Sequence, residues 1–471
     1  MSDDLPSQWV EAPLLQVVDS VATGVPEFKG SVEYFSTGSI QSDGSIAEGD
    51  YTFASRPSRA NRWAKLDDVL QARMQFTDKP LLIEKRFENK LFSTGFLQLR
   101  ANPILCKPRY LRHYVASPKF LKQRDELATG STQVALTDNG AKGLTIPLAP
   151  PREQERIITK LDEVLGKLES SQKRLAKIPV LLKRFRQSVL AAACSGRLTA
   201  DWRQEQPEQF DASELIAELE LAHKNAGGHK KGNAAPPTDE AHDLTAEELP
   251  PTWELSDLRT AVCPDRPITY GILKPGPDIP DGVPYIRVAD FPNDKLNLNT
   301  IRRTTRDIEK AFARARLRYG DILLSIRGTV GRVCVVPREL EGANITQDTA
   351  RLSIQPALNS SFVIWFLRSS PTQKRMQKAL KGVAVRGINI GDVRALQLPV
   401  PPLLEQNEIV RRVESFFALA DQIEARFQKA QAQVDKLTPS ILAKAFRGEL
   451  VPQDPSDEPA SVLLQKIKKE K

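Results

Sequence analysis

PLAPPREQERI (147–157) and PVPPLLEQNEI (399–409) stand 252 residues apart and open two copies of one helical segment, residues 145–202 and 396–454. The constant shift carries Pro147 to Pro399, Pro150 to Pro402, Glu153-Gln154 to Glu405-Gln406 and Ile157 to Ile409 without a gap. At the far ends Ser188-Val189-Leu190-Ala191 becomes Ser440-Ile441-Leu442-Ala443, and Gly196 becomes Gly448. A repeat that keeps phase this long fixes the architecture ahead of any local motif.

Since 252 is a multiple of seven, both copies share one heptad frame. The second copy's seam runs Ile409, Val413, Phe416, Ala420, Ile423, Phe427, Ala430, Val434, Leu437, Ile441. The first runs Ile157, Leu161, Val164, Leu168, Ser171, Leu175, Ile178, Leu182, Phe185, Val189, with only Ser171 polar. Steps alternating between four and three make a coiled-coil stripe, so two such stripes in one chain can bury each other. Each spans roughly 50 Å at about 1.5 Å per residue. Pro179 and Pro439 fall inside the segments, and an interior proline kinks or ends a helix. Each copy therefore reads either as one rod or as two helices in sequence.

Outside the rods the repeat continues. Leu5-Pro6-Ser7-Gln8-Trp9 corresponds to Leu249-Pro250-Pro251-Thr252-Trp253, so the chain alternates block, rod, block, rod. The boundaries read as a first block 1–144, a central helical spacer 145–200, a connector 201–248, a second block 249–395, a distal helical spacer 396–454 and a tail 455–471. The connector holds a short helix near Ser213–Glu220 and then NAGGHKKGNAAPPTDE, whose Gly, Pro and charge mark a flexible linker. Ser461-Val462-Leu463-Leu464 repeats Ser213-Glu214-Leu215-Ile216 in part.

Within the second block, Val283–Val288, Gly320–Gly328 and Val333–Val336 read as short strands, with Gly328 and Gly331 forming a turn. The first block offers strands at Leu81–Ile83 and Phe96–Leu99 and one helix around Tyr114–Leu127. Both blocks read as α+β, and the chain as an internal pseudo-two-fold repeat.

Length, at 471 residues, and 40% hydrophobic content support globular domains. A net charge of +8 favours a polyanionic partner. Cys106, Cys194, Cys263 and Cys334 lie far apart without a Cys-x-x-Cys, which points to reduced structural thiols. His113, His223, His229 and His242 lack metal-ligand spacing, so no metal site is expected. MSDDLPSQWV (1–10) has neither the basic start nor the apolar core of a signal peptide, and no run approaches about 18 apolar residues. The expectation is a cytoplasmic chain with no membrane association.

The paired rod openings, the paired exits SVLAAACSGRL (188–198) and SILAKAFRGEL (440–450), and the second-block motifs GVPYIRVADF (282–291), RYGDILLSIRGTVG (318–331) and NITQDTARL (344–352) resemble the specificity subunits of type I restriction-modification enzymes. The resemblance covers essentially the whole length. It implies two α+β target-recognition domains, each reading one half of a bipartite asymmetric DNA site, separated by two long antiparallel coiled-coil segments that act as a ruler. A rod of roughly 50 Å exceeds one duplex turn of about 34–36 Å, which suits that task. The resemblance further implies that the helices dock two methyltransferase subunits and that restriction (motor-nuclease) subunits join them. S-adenosylmethionine, ATP and Mg²⁺ then belong to the partners, with no cofactor in this chain.

Consistent with a noncatalytic chain, no Gly-x-x-x-x-Gly-Lys-Ser/Thr loop and no Asn/Asp-Pro-Pro-Tyr/Phe motif occurs. Asp78 followed by Glu88-Asn89-Lys90 forms a nuclease-like pattern, so a DNA-cleaving enzyme stays open as an alternative, as does a coiled-coil scaffold that binds no DNA. Residue type and turn location nominate Arg86, Lys90, Ser93 and Thr94 in the first block as DNA contacts. Tyr270, Arg287, Ser325, Arg327 and Gln347 are the second-block candidates, Arg327 foremost because a long donor beside a Gly-rich turn reaches into a groove. The Glu-Gln pairs are read as fixing the helix starts, where carboxylates complement the helix dipole.

Overall fold

A computed structural model of the chain describes residues 5–41, 46–131, 133–206, 211–227, 248–382 and 386–470. The chain divides into two compact units, Met1–Lys177 with Arg426–Lys471, and Ile178–Ala425. The division crosses both helical segments instead of following their ends. Each block packs on the start of the helix that follows it and on the end of the other copy. In the first unit Ile157 and Leu161 share a core with Trp9, Tyr110, Leu442 and Phe446. In the second, Ile409 and Val413 share a core with Trp253, Phe362, Val189 and Cys194.

Both blocks are built on one plan. The first unit has a four-stranded sheet in the order Val18–Ser20, Phe96–Ala101, Asp68–Ala72, Leu81–Leu82. The second has Thr269–Tyr270, Thr349–Leu352, Ile322–Ser325, Val333–Val335 in the same order. Asp68–Ala72 and Ile322–Ser325 are buried along their whole length; the apolar run of the second is that of an inner strand, whereas the first also buries Asp68 and Gln71, which are hydrogen-bonded to Gln98 and Asp78 respectively. Val69 stands opposite Leu99 and Ile322 opposite Leu352, so both strands shift by 253 residues between blocks. Beside these sheets Val32–Phe35 runs parallel to Leu91–Ser93, and Val283–Ile286 runs parallel to Asn344–Ile345. Asp67, at φ +65°, occupies the place of Gly320, at φ +86°.

The Leu-Pro-x-x-Trp element leads into a strand that closes each block. Val10–Pro13 pairs with Thr145–Leu148, and Glu254–Asp257 with Gln397–Val400, both antiparallel. The opening and final strands therefore lie side by side where the rod begins. There the Glu-Gln pairs are buried and tie block to helix; no side chain caps the first helix at Pro150. Trp9 Nε1 donates to Glu153 Oε2 at 2.9 Å and Trp253 Nε1 to Glu405 Oε2 at 2.8 Å. Gln154 Nε2 donates to the Leu105 and Ala149 carbonyls and its Oε1 accepts from the Lys107 amide. Gln406 likewise binds the Pro401 carbonyl and the Asn359 amide.

The single helix expected around Tyr114–Leu127 is two, Pro108–Val115 and Pro118–Leu127. Ser117 accepts from the Phe120 amide and so starts a new helix, with Pro118 in its first turn. The second block repeats the break: Ser369 accepts from the Thr372 amide between Ser360–Arg368 and Ser370–Lys378.

The two rods differ. The first is Pro151–Leu175 followed by Ile178–Cys194, with Pro179 in the first turn of the second helix, where the missing N–H costs nothing. The second, Leu403–Ala445, runs unbroken through Pro439. In the second unit Ile178–Cys194 and the start of Leu403–Ala445 are antiparallel: the Phe185 and Phe416 rings meet edge-on at 6.0 Å, and Arg186 pairs with Asp421 and Glu424 at 2.6 and 2.8 Å. The seam is fully buried at Ile157, Leu161, Ile409, Val413 and Ala420, while Leu437 is 44% exposed.

The connector helix spans Ala212–Asn225, and the Ala212 amide donates to the Thr252 carbonyl. In the first unit Ala460–Glu470 plays the same part, with the Ala460 amide on the Gln8 carbonyl. Most of the Gly- and Pro-rich linker, with His229 and His242, lies outside the described residues. All four cysteines are free thiols, and burial pushes that of Cys106 up to about 12. Among the described residues no helix is long and apolar enough to cross a membrane.

Candidate nucleic-acid interface

At one end of each sheet, loops from three parts of the chain converge. In the first block they are the exit from Asp68–Ala72, the Thr94-Gly95 turn, and the segment around Ala128–Leu136. Arg73 joins them: its amide donates to the Gly95 carbonyl at 2.9 Å and its carbonyl accepts from the Leu136 amide at 2.9 Å. Its guanidinium also reaches the Phe96 and Leu136 carbonyls and pairs with Asp138.

In the second block Ile326 occupies the same node. Its amide donates to the Asp348 carbonyl at 2.8 Å, and its carbonyl accepts from the Ile388 amide at 2.9 Å. The next residue bridges the third loop in both cases, Met74 to Ala135 and Arg327 to Gly387. Position 74 of the first block thus matches position 327 of the second, and Thr94 matches Gln347 by the common shift of 253.

Arg327 and Gln347 come together here. Arg327 is exposed, and its Nη1 donates to Gln347 Oε1 at 3.1 Å. The pair joins a guanidinium to an amide, the groups suited to guanine and adenine edges in a major groove. Arg386, exposed on the third loop, accepts from the Gly328 amide through its carbonyl at 3.1 Å. Gly328 and Gly331, at φ +70° and +97°, form the expected turn.

The remaining sequence candidates are placed differently. Ser325 is fully buried; its hydroxyl donates to the Thr329 carbonyl at 2.5 Å and accepts from the Arg332 amide, so it shapes the turn. Ser93 is buried and accepts from the Gly95 amide at 3.1 Å, shaping the turn that carries half-buried Thr94. Arg287 follows the parallel strand at this same end, but Asp290 holds its guanidinium at 2.6 and 3.0 Å. Tyr270 is half-buried under the Arg314 guanidinium, 5.7 Å from its ring centre. Lys90 and Arg86 precede Leu91–Ser93 and so lie at the end of that strand away from Thr94. Lys90 pairs with Glu33 at 2.8 Å, and Arg86 lies over the Phe87 ring at 5.1 Å.

Sequence reasoning passed over Arg73, Met74, Phe76 and Arg386. Aligning Lys65-Leu66-Asp67-Asp68-Val69-Leu70 with Arg318-Tyr319-Gly320-Asp321-Ile322-Leu323 would have exposed the first three, since the two stretches start the equivalent strands. The nuclease-like pattern is engaged within the fold. Asp78 accepts from Gln71 at 2.9 Å, burial raises its pKa, and Lys90 is paired with Glu33. Among the described residues no three His, Cys, Asp or Glu side chains group as a metal would need.

Residues 252–432 match the family described as the type I restriction modification DNA specificity domain. The chain is 35% identical to the EcoBI specificity subunit of Escherichia coli over 76% of its own length and 71% of that protein. It is 28% identical to the Escherichia coli EcoDI specificity subunit over 94% of both. In fold it resembles the HsdS subunit of Thermoanaerobacter tengcongensis, with a TM-score of 0.58 at 22% identity over 95% of this chain and 98% of that one. By family match and identity together, the chain belongs to the DNA specificity subunits of type I restriction enzymes.

Proposed function

We propose that each block reads one half of a bipartite, asymmetric DNA site through the loop end of its sheet. The helical segments set the spacing of the half-sites and dock two methyltransferase subunits, which restriction subunits join. Adenine methylation and cleavage are carried by those partners with S-adenosylmethionine, ATP and Mg²⁺, while this chain supplies the address. The relatives' names lend no support to the nuclease or scaffold alternatives.

One observation carries this reading. The two blocks repeat one strand order and one register, yet equivalent loop positions carry Met74 and Thr94 in the first and Arg327 and Gln347 in the second. A shared scaffold with unlike tips is what recognition of two different half-sites requires. The surplus of positive charge suits the phosphate backbone that positions such tips.

The test is genome-wide mapping of N6-methyladenine in the source strain, in a deletion of this gene, and in a strain carrying Arg327→Ala with Gln347→Ala. Deletion is expected to erase one bipartite motif, and the double variant to relax one half of it while sparing the other. A motif unchanged by the deletion would refute the assignment.

A further inference from the structure

The loop after Asp68–Ala72 ends in an apolar tip. Phe76 is 85% exposed and Met74 43% exposed, on a block whose other large apolar side chains are mostly buried. Phe76 sits at φ +58°, a left-handed conformation that a bulky residue adopts at a cost. The loop is nonetheless held on both sides. Gln75 donates through its amide to the Val134 carbonyl at 3.0 Å and through Nε2 to the Asp125 carbonyl at 3.2 Å. The Thr77 amide donates to the Met74 carbonyl, and the Thr77 carbonyl accepts from the Arg124 guanidinium. The fold therefore holds a strained backbone in place and presents the ring outward.

The position of this tip assigns its surroundings. Met74 occupies the place of Arg327, next to the Arg73 node that binds the Thr94-Gly95 turn. Ser131 and Gln133, exposed on the facing segment, are polar and uncharged, and the two carboxylates nearby each face an arginine: Asp125, whose Oδ1 accepts from the Phe76 amide at 3.4 Å, pairs with Arg124, and Asp138 pairs with Arg73. A pinned apolar tip at the reading end of a DNA-binding block fits the wedge that other proteins insert between base pairs, which unstacks one step and kinks the duplex.

We propose that Phe76, with Met74 beside it, enters a base step of the half-site read by the first block and selects a step that unstacks readily. Pyrimidine–purine steps are the softest, so the first half-site should contain one at that point. The proposal rests on the first block being a reader of DNA and names how it reads: the first half-site by apolar insertion, the second by the polar Arg327–Gln347 pair.

The test uses the full chain assembled with its methyltransferase subunits and a duplex carrying the mapped motif, with 2-aminopurine placed in turn at each position of the first half-site. Wild type should raise the fluorescence at one step. Phe76→Ala should abolish that rise and weaken binding by about 5- to 150-fold, the range expected for losing one base–aromatic stack, while Phe76→Trp should keep both. Phe76→Gly separates recognition from folding, because glycine relieves the positive φ. It should melt no lower than wild type yet bind as weakly as the alanine variant. Unchanged fluorescence and affinity in Phe76→Ala would overturn the wedge, as would a loss confined to assembly with the methyltransferase subunits. If Arg327→Ala with Gln347→Ala still relaxes the other half-site, the reading of the blocks stands without the wedge; if neither variant alters the motif, that reading falls too.

Discussion

Trp9 donates its indole hydrogen to Glu153 across 2.9 Å, joining the first turn of the chain to the first turn of the rod. The carboxylate is buried, burial raises its pKa, and among the described residues only Gln453 Nε2 otherwise donates to it, at 2.7 Å. In the second unit Glu405 takes the Trp253 indole but also the Thr199 hydroxyl and the Arg203 guanidinium. Removing the indole should therefore matter more in the first unit. Trp9→Phe is expected to cost about 1–3 kcal/mol, a donor lost from a buried acceptor, and to lower the melting temperature by several degrees. Trp253→Phe should cost less. Calorimetry on both variants checks the order, and equal losses would contradict it.

The carboxylates themselves should reverse that ranking. Glu153→Gln keeps an acceptor for Trp9 and replaces a carboxyl already pushed toward its neutral form, so it should be mild. Glu405→Gln strips the partner from Arg203, whose side chain is only 20% exposed, and loss of one member of such a pair is costly. Thermal denaturation of the two variants side by side decides the point; a larger loss for Glu153→Gln would rule it out.

Much of this architecture was legible in the sequence because helices and sheets leave different records. The rods announce themselves through the heptad and the gapless shift, and Ile322–Ser325 through its apolar run. The first block hid its kinship with the second because alignment there tracks burial and backbone conformation, not identity: Asp67 stands for Gly320, and Leu91 for Asn344. The unit boundary was hidden for another reason. It depends on which end of each rod meets which block, and a heptad frame is blind to that. Of the nominated contacts, Arg327 and Gln347 meet at the loop end, whereas Arg287 is held by Asp290 and Ser325 is buried, because a turn needs internal donors as much as a groove does.

Gly196 and Gly448 end the two rods in the left-handed region, at φ +73° and +74°. A Cβ on either would lie 2.3 Å from a proline Cγ, that of Pro250 or of Pro6. Alanine at either position should combine strain with a clash and destabilise by about 1–3 kcal/mol. Because each glycine belongs to a different unit, hydrogen exchange should localise each loss to its own unit, and a loss spread evenly over the chain would argue against this.

His113 gives the first unit a pH dependence. Burial, with the Arg112 guanidinium beside it, lowers its pKa to about 4, although Asp162 accepts from its Nε2 side at 3.0 Å and opposes the shift. An unfolded histidine titrates near about 6.5. Between these values the unfolded chain binds a proton that the folded chain refuses, so stability falls as pH drops from about 6.5 to about 4, by at most about 3 kcal/mol. His113→Gln removes this contribution. Denaturant midpoints at neutral pH and near pH 5 should therefore differ more for wild type than for the variant, and parallel shifts would contradict the assignment.

Arg327 and Gln347 share one hydrogen bond, and the sharing predicts how they fail. The amide oxygen of Gln347 orients the guanidinium, so Gln347→Ala should leave Arg327 able to reach the groove but free to turn. Arg327→Ala removes the donor itself. A good bidentate base contact discriminates by about 1–3 kcal/mol, so Arg327→Ala should lower preference for the cognate second half-site by about 5- to 150-fold. Gln347→Ala should lower it less, and the double variant should fall short of the product of the two, because both act on one contact. Arg327→Lys keeps the charge but not the planar fork, so it should hold non-specific affinity and its salt dependence while losing selectivity. Competition binding with duplexes altered in one half-site at a time measures all four variants. If the single losses multiplied, the two side chains would be reading the site independently, and the hydrogen bond between them would have no part in recognition.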